Sequence, residues 1–408
     1  MDNFESRLAQ ATDAAVPARD LLGPLAVVVD DKGQVLYRHA AGRQWLCDSI
    51  NDDAPLLDAD STVTLGSAGK IVTHIAALQL VERGLLALDA PVYDHLPELR
   101  ACNVLAGMDN DGQTPTPQMR APCRPVTLRH LLLHTSGLTD HETVDKRFGA
   151  GTADQVMAGL VNDSAHAIAQ RFAIPLLFHP GEGFAYGYSI HWTQLLVTRV
   201  SRSASFLAHV QASIFDPLGM ASSSYAPRQV FDVWQRRLRM VERKTDTDGM
   251  SILAEADDDF SQGLTCSMSD VGTLLSAVLA SSPVLLNTKE HYDLLLTGQL
   301  PVGSASLSEL RNESDNYGFV TGKASGHESA APAVNWSAGG LVVGDEALPV
   351  SSMPPGTVTW EGMPNVLWAV NREKKRAAFF ATQLVPVGDA KANTLALSFM
   401  HDVWSTFG

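Results

Sequence analysis

Apolar positions recur along the chain with more than one period, and the changes of period mark out its elements. Residues 4–15 carry Phe4, Leu8 and Ala11 at helical spacing and read as a short amphipathic helix. Two extended runs, 24–29 and 34–39, flank Asp30-Asp31-Lys32-Gly33, which is a hairpin signal. An unbroken apolar run from Ile71 to Leu80 ends at Gly84. From Ser67 to about residue 230 the pattern is mostly helical, with periodic segments at 128–133, 165–173, 191–200 and 206–214. Residues 101–125 have little periodicity and are rich in Gly, Pro, Asn and Thr, a long connection expected to wall a substrate cleft. Beyond Ser261 a helix is expected over 269–280. Alternating runs follow at 339–343, 357–361, 366–371 and 377–384, the last two joined by a charged turn at Arg372–Lys375. A terminal helix, 390–407, closes the chain.

Strands at both ends and helices between them predict an α+β architecture: one antiparallel sheet completed by both termini and flanked by helices, with a mainly helical lobe inserted. The expected division is 1–64 plus 259–408 for the sheet lobe and 65–258 for the helical lobe, one catalytic unit with its cleft between them. At 408 residues, 45% hydrophobic and 18% charged, the chain has enough apolar material for a large core. A net charge of −15 argues against nucleic acid and anionic membranes, which call for basic patches. The polar, acidic first residues and the absence of a long apolar run predict a cytoplasmic protein with no membrane contact. Cys47, Cys102, Cys123 and Cys266 are scattered without metal or disulfide spacing and read as buried or idle thiols.

The strongest chemical signal is Ser67-Ala68-Gly69-Lys70 ahead of the apolar run. Residues three apart on a helix share a face one turn apart, so a hydroxyl and an amine stand side by side. Burial penalises the charged form of a lysine, and a helix N-terminus favours an anion at Ser67. Alone, the tetrad reads equally well as a helix start whose serine merely caps.

Three further segments supply context. Arg129-His130-Leu131-Leu132-Leu133-His134-Thr135-Ser136-Gly137-Leu138 resembles the Leu-Leu-x-His-Thr-Ser-Gly-Leu signature of the serine beta-lactamase and penicillin-binding-protein-like hydrolases, in their esterase and acyltransferase branch. His179-Pro180-Gly181-Glu182-Gly183-Phe184-Ala185-Tyr186-Gly187-Tyr188 is similar to that family's Pro-Gly segment leading into Tyr-x-Asn, and Tyr186 falls at the catalytic tyrosine. Thr357-Val358-Thr359-Trp360-Glu361-Gly362-Met363-Pro364-Asn365 stands where lactamases carry Lys-Thr-Gly and resembles the Trp-x-Gly of family esterases. The resemblance spans nearly the whole chain and implies a beta-lactamase/transpeptidase-like fold. It also implies a catalytic set of Ser67, Lys70 and Tyr186 and an oxyanion hole of the Ser67 and Met363 backbone amides. No cofactor and no metal is implied.

Two departures from the lactamase pattern narrow the chemistry. Trp360 replaces the lysine that would hold a substrate carboxylate, and Tyr188 replaces an asparagine that would pair with a substrate amide. What remains is serine acyl transfer in an aromatic cleft to which Phe184, Tyr188, Trp192, Trp360 and the backbone at Gly362 are expected to contribute. The segments around Tyr186, Trp360 and Phe379-Phe380-Ala381-Thr382-Gln383 resemble the fungal transesterases of polyketide pathways, of the lovastatin side-chain type. That likeness implies a small ester or thioester donor, or one held on an acyl carrier protein domain, and a natural-product hydroxyl as acceptor. Two alternatives stay open: a carboxylesterase for small hydrophobic esters, and a non-hydrolytic relative that binds a polyketide or a carrier domain. Glu361 departs from the small residue expected at its place and is expected to point away from the cleft.

Other patterns carry less. His130 and His134 have the spacing of a zinc pair but no third ligand at the zincin positions, and read as structural. Gly318-Phe319-Val320-Thr321-Gly322-Lys323-Ala324 is one residue short of a P-loop and reads as a loop. The acidic cluster Glu255, Asp257, Asp258 and Asp259 reads as solvated chain, and no Gly-x-Ser-x-Gly elbow occurs.

Overall fold

A computed structural model of the chain describes all residues except 14–19, 47–53, 110–115, 159–165, 173–174, 245–248, 254–262, 314–316 and 324–332. The turn at Asp30–Gly33 joins strands β1 (Leu25–Asp30) and β2 (Val35–Ala40), and the Asp30 carboxylate fixes it by accepting from the backbone of Lys32 and Gln34 at 2.9 Å each. Five more strands complete the sheet: β3 (Val334–Trp336), β4 (Leu341–Val343), β5 (Val358–Gly362), β6 (Val366–Asn371) and β7 (Arg376–Ala381). Their order is β3-β4-β5-β6-β7-β1-β2, antiparallel throughout, so β1 near the N-terminus pairs with β7 near the C-terminus.

Register decides which side chains face the site. Trp360, Trp368 and Phe379 are cross-strand partners on one face, and Glu361, Leu367 and Phe380 on the other. On the first face, Trp368 donates its indole N–H to the Ala68 carbonyl at 2.9 Å, tying the sheet to the serine turn. On the second, Phe380 meets Phe399 of the terminal helix α4 (Ala390–Phe407), which in turn meets Phe4 of the first helix, α1 (Asp2–Ala11). Two buried helices lie on the first face: α2 (Lys70–Glu82) and α3 (Met268–Leu279). Residues 71–80 of α2 are buried on all sides, as its unbroken apolar run demands. Each fully buried Leu, Ile or Phe in this layer contributes roughly 1.5–3 kcal/mol against exposure.

Several expectations shift. The helix expected over 4–15 is described over Asp2–Ala11. Residues 101–125 hold two antiparallel paired strands, Val104–Asp109 and Thr116–Arg120; Val104 and Leu105 are buried side by side, the register shifts between Leu105 and Gly107, and the other positions are exposed or half-buried, so no apolar period runs through them. Gly318–Thr321 is a short buried helix rather than a loop. The segment 206–214 is helical at Phe206–Val210 and widens to a π turn at Gln211–Phe215. The run 377–384 divides, its last residue starting a strand, Leu384–Val385, in a second sheet. The acidic cluster 255–259 lies outside the described residues. Among those residues, no helix is long and apolar enough to cross a membrane.

Candidate active site

Ser67 stands in a 3₁₀ turn, Gly66–Gly69, that leads into α2 at Lys70. The strand before it, Thr62–Thr64, pairs with Thr265–Ser267, and Gln383 clasps it from the side: its amide oxygen accepts from Thr64 N at 3.0 Å and its amide nitrogen donates to Thr64 O at 2.9 Å. Leu65 N donates to Leu264 O at 2.8 Å. Held on both sides, the turn delivers the pair expected from its spacing: Lys70 Nζ donates to Ser67 Oγ at 2.6 Å. Lys70 Nζ also lies 4.8 Å from the centre of the Tyr186 ring. Three groups from two distant stretches thus meet.

The tyrosine is placed by the 134–139 segment. Ala185 N donates to His134 O at 2.9 Å, Thr139 Oγ1 donates to Tyr186 O at 3.4 Å, and the hydroxyls of Ser136 and Ser189 pair at 2.9 Å. The His134 ring lies 4.6 Å from that of Tyr186, fully buried, with neither ring nitrogen paired among the described residues. Burial first, then the neighbouring His74 and Lys70 charges, hold His134 well below the ordinary imidazole range. His74, one turn beyond Lys70, is pushed down to about 4, chiefly by burial, against the upward pull of its 2.6 Å bond to Ala338 O. Both rings are therefore neutral at pH 7. His130 closes a capping box with Thr127 on the helix Leu128–Leu132, a structural role.

The end of β5 presses on the serine turn. A Cβ at Gly362 would overlap the Leu65 carbonyl oxygen, so only glycine fits, and the close approach is to the chain itself. Gly66, at φ +54°, is the other fixed glycine; a Cβ there would sit 3.2 Å from Met363 N. The Met363 amide is thus brought beside the Ser67 turn, with its side chain on the surface. Asn365, at φ +56° and fully buried, locks the bend behind it: Nδ2 donates to Leu384 O at 2.7 Å and Pro386 O at 2.8 Å, while Oδ1 accepts from Gly388 N at 2.9 Å. Thr382 Oγ1 donates to Pro364 O at 2.7 Å. Such bonds pre-set an amide before any charge develops on a substrate.

Trp360 is nearly buried and donates its indole N–H to Tyr186 Oη at 3.0 Å. The expected aromatic wall is therefore placed elsewhere. Trp192 is in the core with its N–H on Phe172 O at 3.0 Å, and Phe184 packs between His134 and Trp336. Tyr188 Oη is paired with His141 Nδ1 at 3.0 Å, its ring 4.6 Å from Phe172. Buried indoles and phenols seek partners for their polar ends, and here those partners are internal. A cavity of about 780 Å³ opens beside Ser67 and Lys70, lined by Ile190, Phe206, Tyr225, Trp234, Met240 and Met363 among others. His191 also lines it, stacked on Phe172 at 4.1 Å and 7° and pushed down to about 4 by burial. Gln194 donates to Thr73 Oγ1 at 3.4 Å on the same wall. These wall residues run from Ile190 to Met363, on helices and on the chain at Tyr225, Met240 and Met363, and apart from the periodic segments 191–200 and 206–214 no local signal marks them.

The Beta-lactamase family model matches residues 8–400. Acyltransferase calJ of Penicillium decumbens is 29% identical over 385 residues, covering 92% of this chain and 87% of that protein. Lovastatin esterase of Penicillium rubens is 28% identical over 404 residues, covering 97% of each. A solved structure of simvastatin synthase from Aspergillus terreus superimposes with a TM-score of 0.82 at 26% identity, covering all of this chain and 98% of that one. The relatives are acyltransferases and esterases, the fold is that of beta-lactamases and transpeptidases, and the chain belongs to the beta-lactamase family.

Proposed function

We propose that this enzyme is a serine acyltransferase. It takes an acyl group from an ester or thioester donor and passes it, through a Ser67 acyl-enzyme, to a natural-product hydroxyl. The observation that carries this reading is the 2.6 Å contact of Lys70 Nζ with Ser67 Oγ beside a large apolar cavity. With the amine neutral, the same contact works in reverse: Ser67 Oγ attacks the acyl carbon as its proton passes to Lys70. Tyr186, its ring centre 4.8 Å from the amine, gives its hydroxyl proton to the leaving thiol or alcohol and is re-protonated from Lys70. The oxyanion rests on the Ser67 and Met363 amides, each such donor being worth about 2.7–4 kcal/mol of barrier. The acceptor hydroxyl then repeats the steps in reverse order. The cleft lies between a sheet lobe, 1–64 plus 259–408, and a helical lobe, 65–258, and the enzyme acts in the cytoplasm on a small thioester or one tethered to an acyl carrier protein domain.

Replacement of the family's cleft lysine by Trp360 supports an ester rather than a lactam or peptide carboxylate as substrate, because the tryptophan N–H is spent on Tyr186. A fluorophosphonate should add covalently at Ser67 and nowhere else in intact-protein and peptide mass spectra. S67A, K70A and Y186F should each lower acylation on the order of a thousandfold or more, and the K70A/Y186F double variant little further, because the groups act as a unit. An unlabelled Ser67, or strictly additive losses, would overturn the assignment. Hydrolysis is the second reading, favoured by the likeness to lovastatin esterase. Product ratios with a competing alcohol separate the two.

A further inference from the structure

Cys123, His179 and Glu182 bring one ligand atom each to within 4.8 Å of one another, with Cys123 and Glu182 exposed and His179 half-buried. From this juxtaposition we propose a structural site for a Zn²⁺-like cation, separate from the acyl-transfer chemistry. The donors come from two stretches 56 positions apart. The Cys123 thiol donates to Glu182 Oε1 at 3.6 Å, and Cys123 N donates to His179 Nδ1 at 3.1 Å. His179 and Glu182 are held on one tight turn, with Glu182 N on His179 O at 2.9 Å and Gly181 N on Thr135 O at 2.7 Å. Two of the three ligands are thus pre-organised before an ion arrives.

Sulfur, imidazole nitrogen and carboxylate oxygen together are the ligand types of zinc rather than of Mg²⁺ or Ca²⁺. Zinc bonds of about 2.0–2.3 Å place tetrahedral ligand atoms roughly 3–4 Å apart, so small side-chain rotations close the set around an ion with water in the fourth position. On binding, the thiol proton now directed at Glu182 leaves to solvent, and His179 Nδ1 exchanges the backbone N–H for the metal. Glu182 Oε1 already takes the Arg124 guanidinium at 2.9 Å, which leaves Oε2 for the ion. Thiolate, carboxylate, guanidinium and Zn²⁺ then sum to a single positive charge at a wet surface. The ion would staple residues 121–125 to the turn that runs into Phe184 and Tyr186.

Co²⁺ titration of the full-length, chelator-treated protein tests this. One equivalent should produce a near-ultraviolet thiolate-to-cobalt band that Zn²⁺ then removes. C123S should abolish the band and H179A weaken Co²⁺ binding tenfold or more, while C47S leaves both unchanged. All three variants should keep the wild-type circular dichroism and label at Ser67 with fluorophosphonate, so that a failed metal site and a failed catalytic assignment read differently. No band at stoichiometric Co²⁺, or one that survives in C123S, would overturn the proposal.

Discussion

Trp360→Phe isolates one bond at the centre of the proposed mechanism. The substitution removes the indole N–H that Tyr186 Oη accepts at 3.0 Å while leaving an aromatic ring against Trp336, whose centroid lies 4.5 Å from that of Trp360. In the resting enzyme this is a neutral bond, worth about 0.5–1.5 kcal/mol to stability. If Tyr186 takes negative charge as it hands its proton to the leaving group, the same N–H becomes charge-assisted and contributes about 1.5–3 kcal/mol. Only the difference, about 1–1.5 kcal/mol, bears on the barrier, so at 1.36 kcal/mol per tenfold acylation should slow by roughly five- to tenfold. The loss belongs to the acylation step, so it should appear in the pre-steady-state burst with a short p-nitrophenyl ester, at a temperature where both proteins are fully folded. A thermal midpoint lowered by a few degrees sets the limit on what unfolding explains. A burst within threefold of wild type would show that Tyr186 gains no charge in the rate-limiting step, and the role given to it would fall.

Gly362→Ala should lower Ser67 labelling a hundredfold or more with a modest loss of stability, because the new methyl group overlaps the Leu65 carbonyl and displaces the Met363 amide from the serine turn; an unaltered labelling rate would remove that amide from the oxyanion hole. Glu361, buried on the face of β5 away from the serine turn, accepts from Val320 N at 2.9 Å, and burial pushes its carboxyl from an ordinary 4.5 up to about 8. The folded protein keeps this proton through a range where the unfolded chain has lost it. Its stabilisation is therefore full below pH 4.5 and lost as pH rises through 8, by on the order of 5 kcal/mol at 1.36 kcal/mol per pH unit. Urea midpoints from pH 5 to 9 should fall more steeply for wild type than for Glu361→Gln, and parallel curves would contradict this.

Local signals carried the reading furthest where chemistry and turn lie close in sequence. Asp30–Gly33 and Arg372–Lys375 announce their hairpins because the turn residues sit between alternating runs, and Ser67 and Lys70 meet because one helical turn joins them. Glu361 points away from the cleft because strand alternation alone requires it once Trp360 faces inward. The partner of Trp360 was not legible, since its bond to Tyr186 spans 174 positions, and neither was the Gln383 clasp on Thr64, which spans 319. An aromatic residue near a catalytic motif suggests a wall; only tertiary packing tells that Trp192 and Phe184 fill the core while Ile190, Phe206 and Trp234 line the cavity. The strands at Val104–Asp109 and Thr116–Arg120 show no period in the sequence, because their buried residues, Val104 and Leu105, are adjacent and the register shifts just after them.

The contact of Gly362 with Leu65 joins residues from the first sixth and the last eighth of the chain. During synthesis, the serine and its lysine can be adjacent long before position 363 leaves the ribosome, yet the second donor of the proposed oxyanion hole does not exist until it does. A nascent or C-terminally truncated product would hold its nucleophile pair idle. On the proposed mechanism, acylating power would report completed folding, and a reactive serine would be withheld from thioesters until the whole sheet has closed.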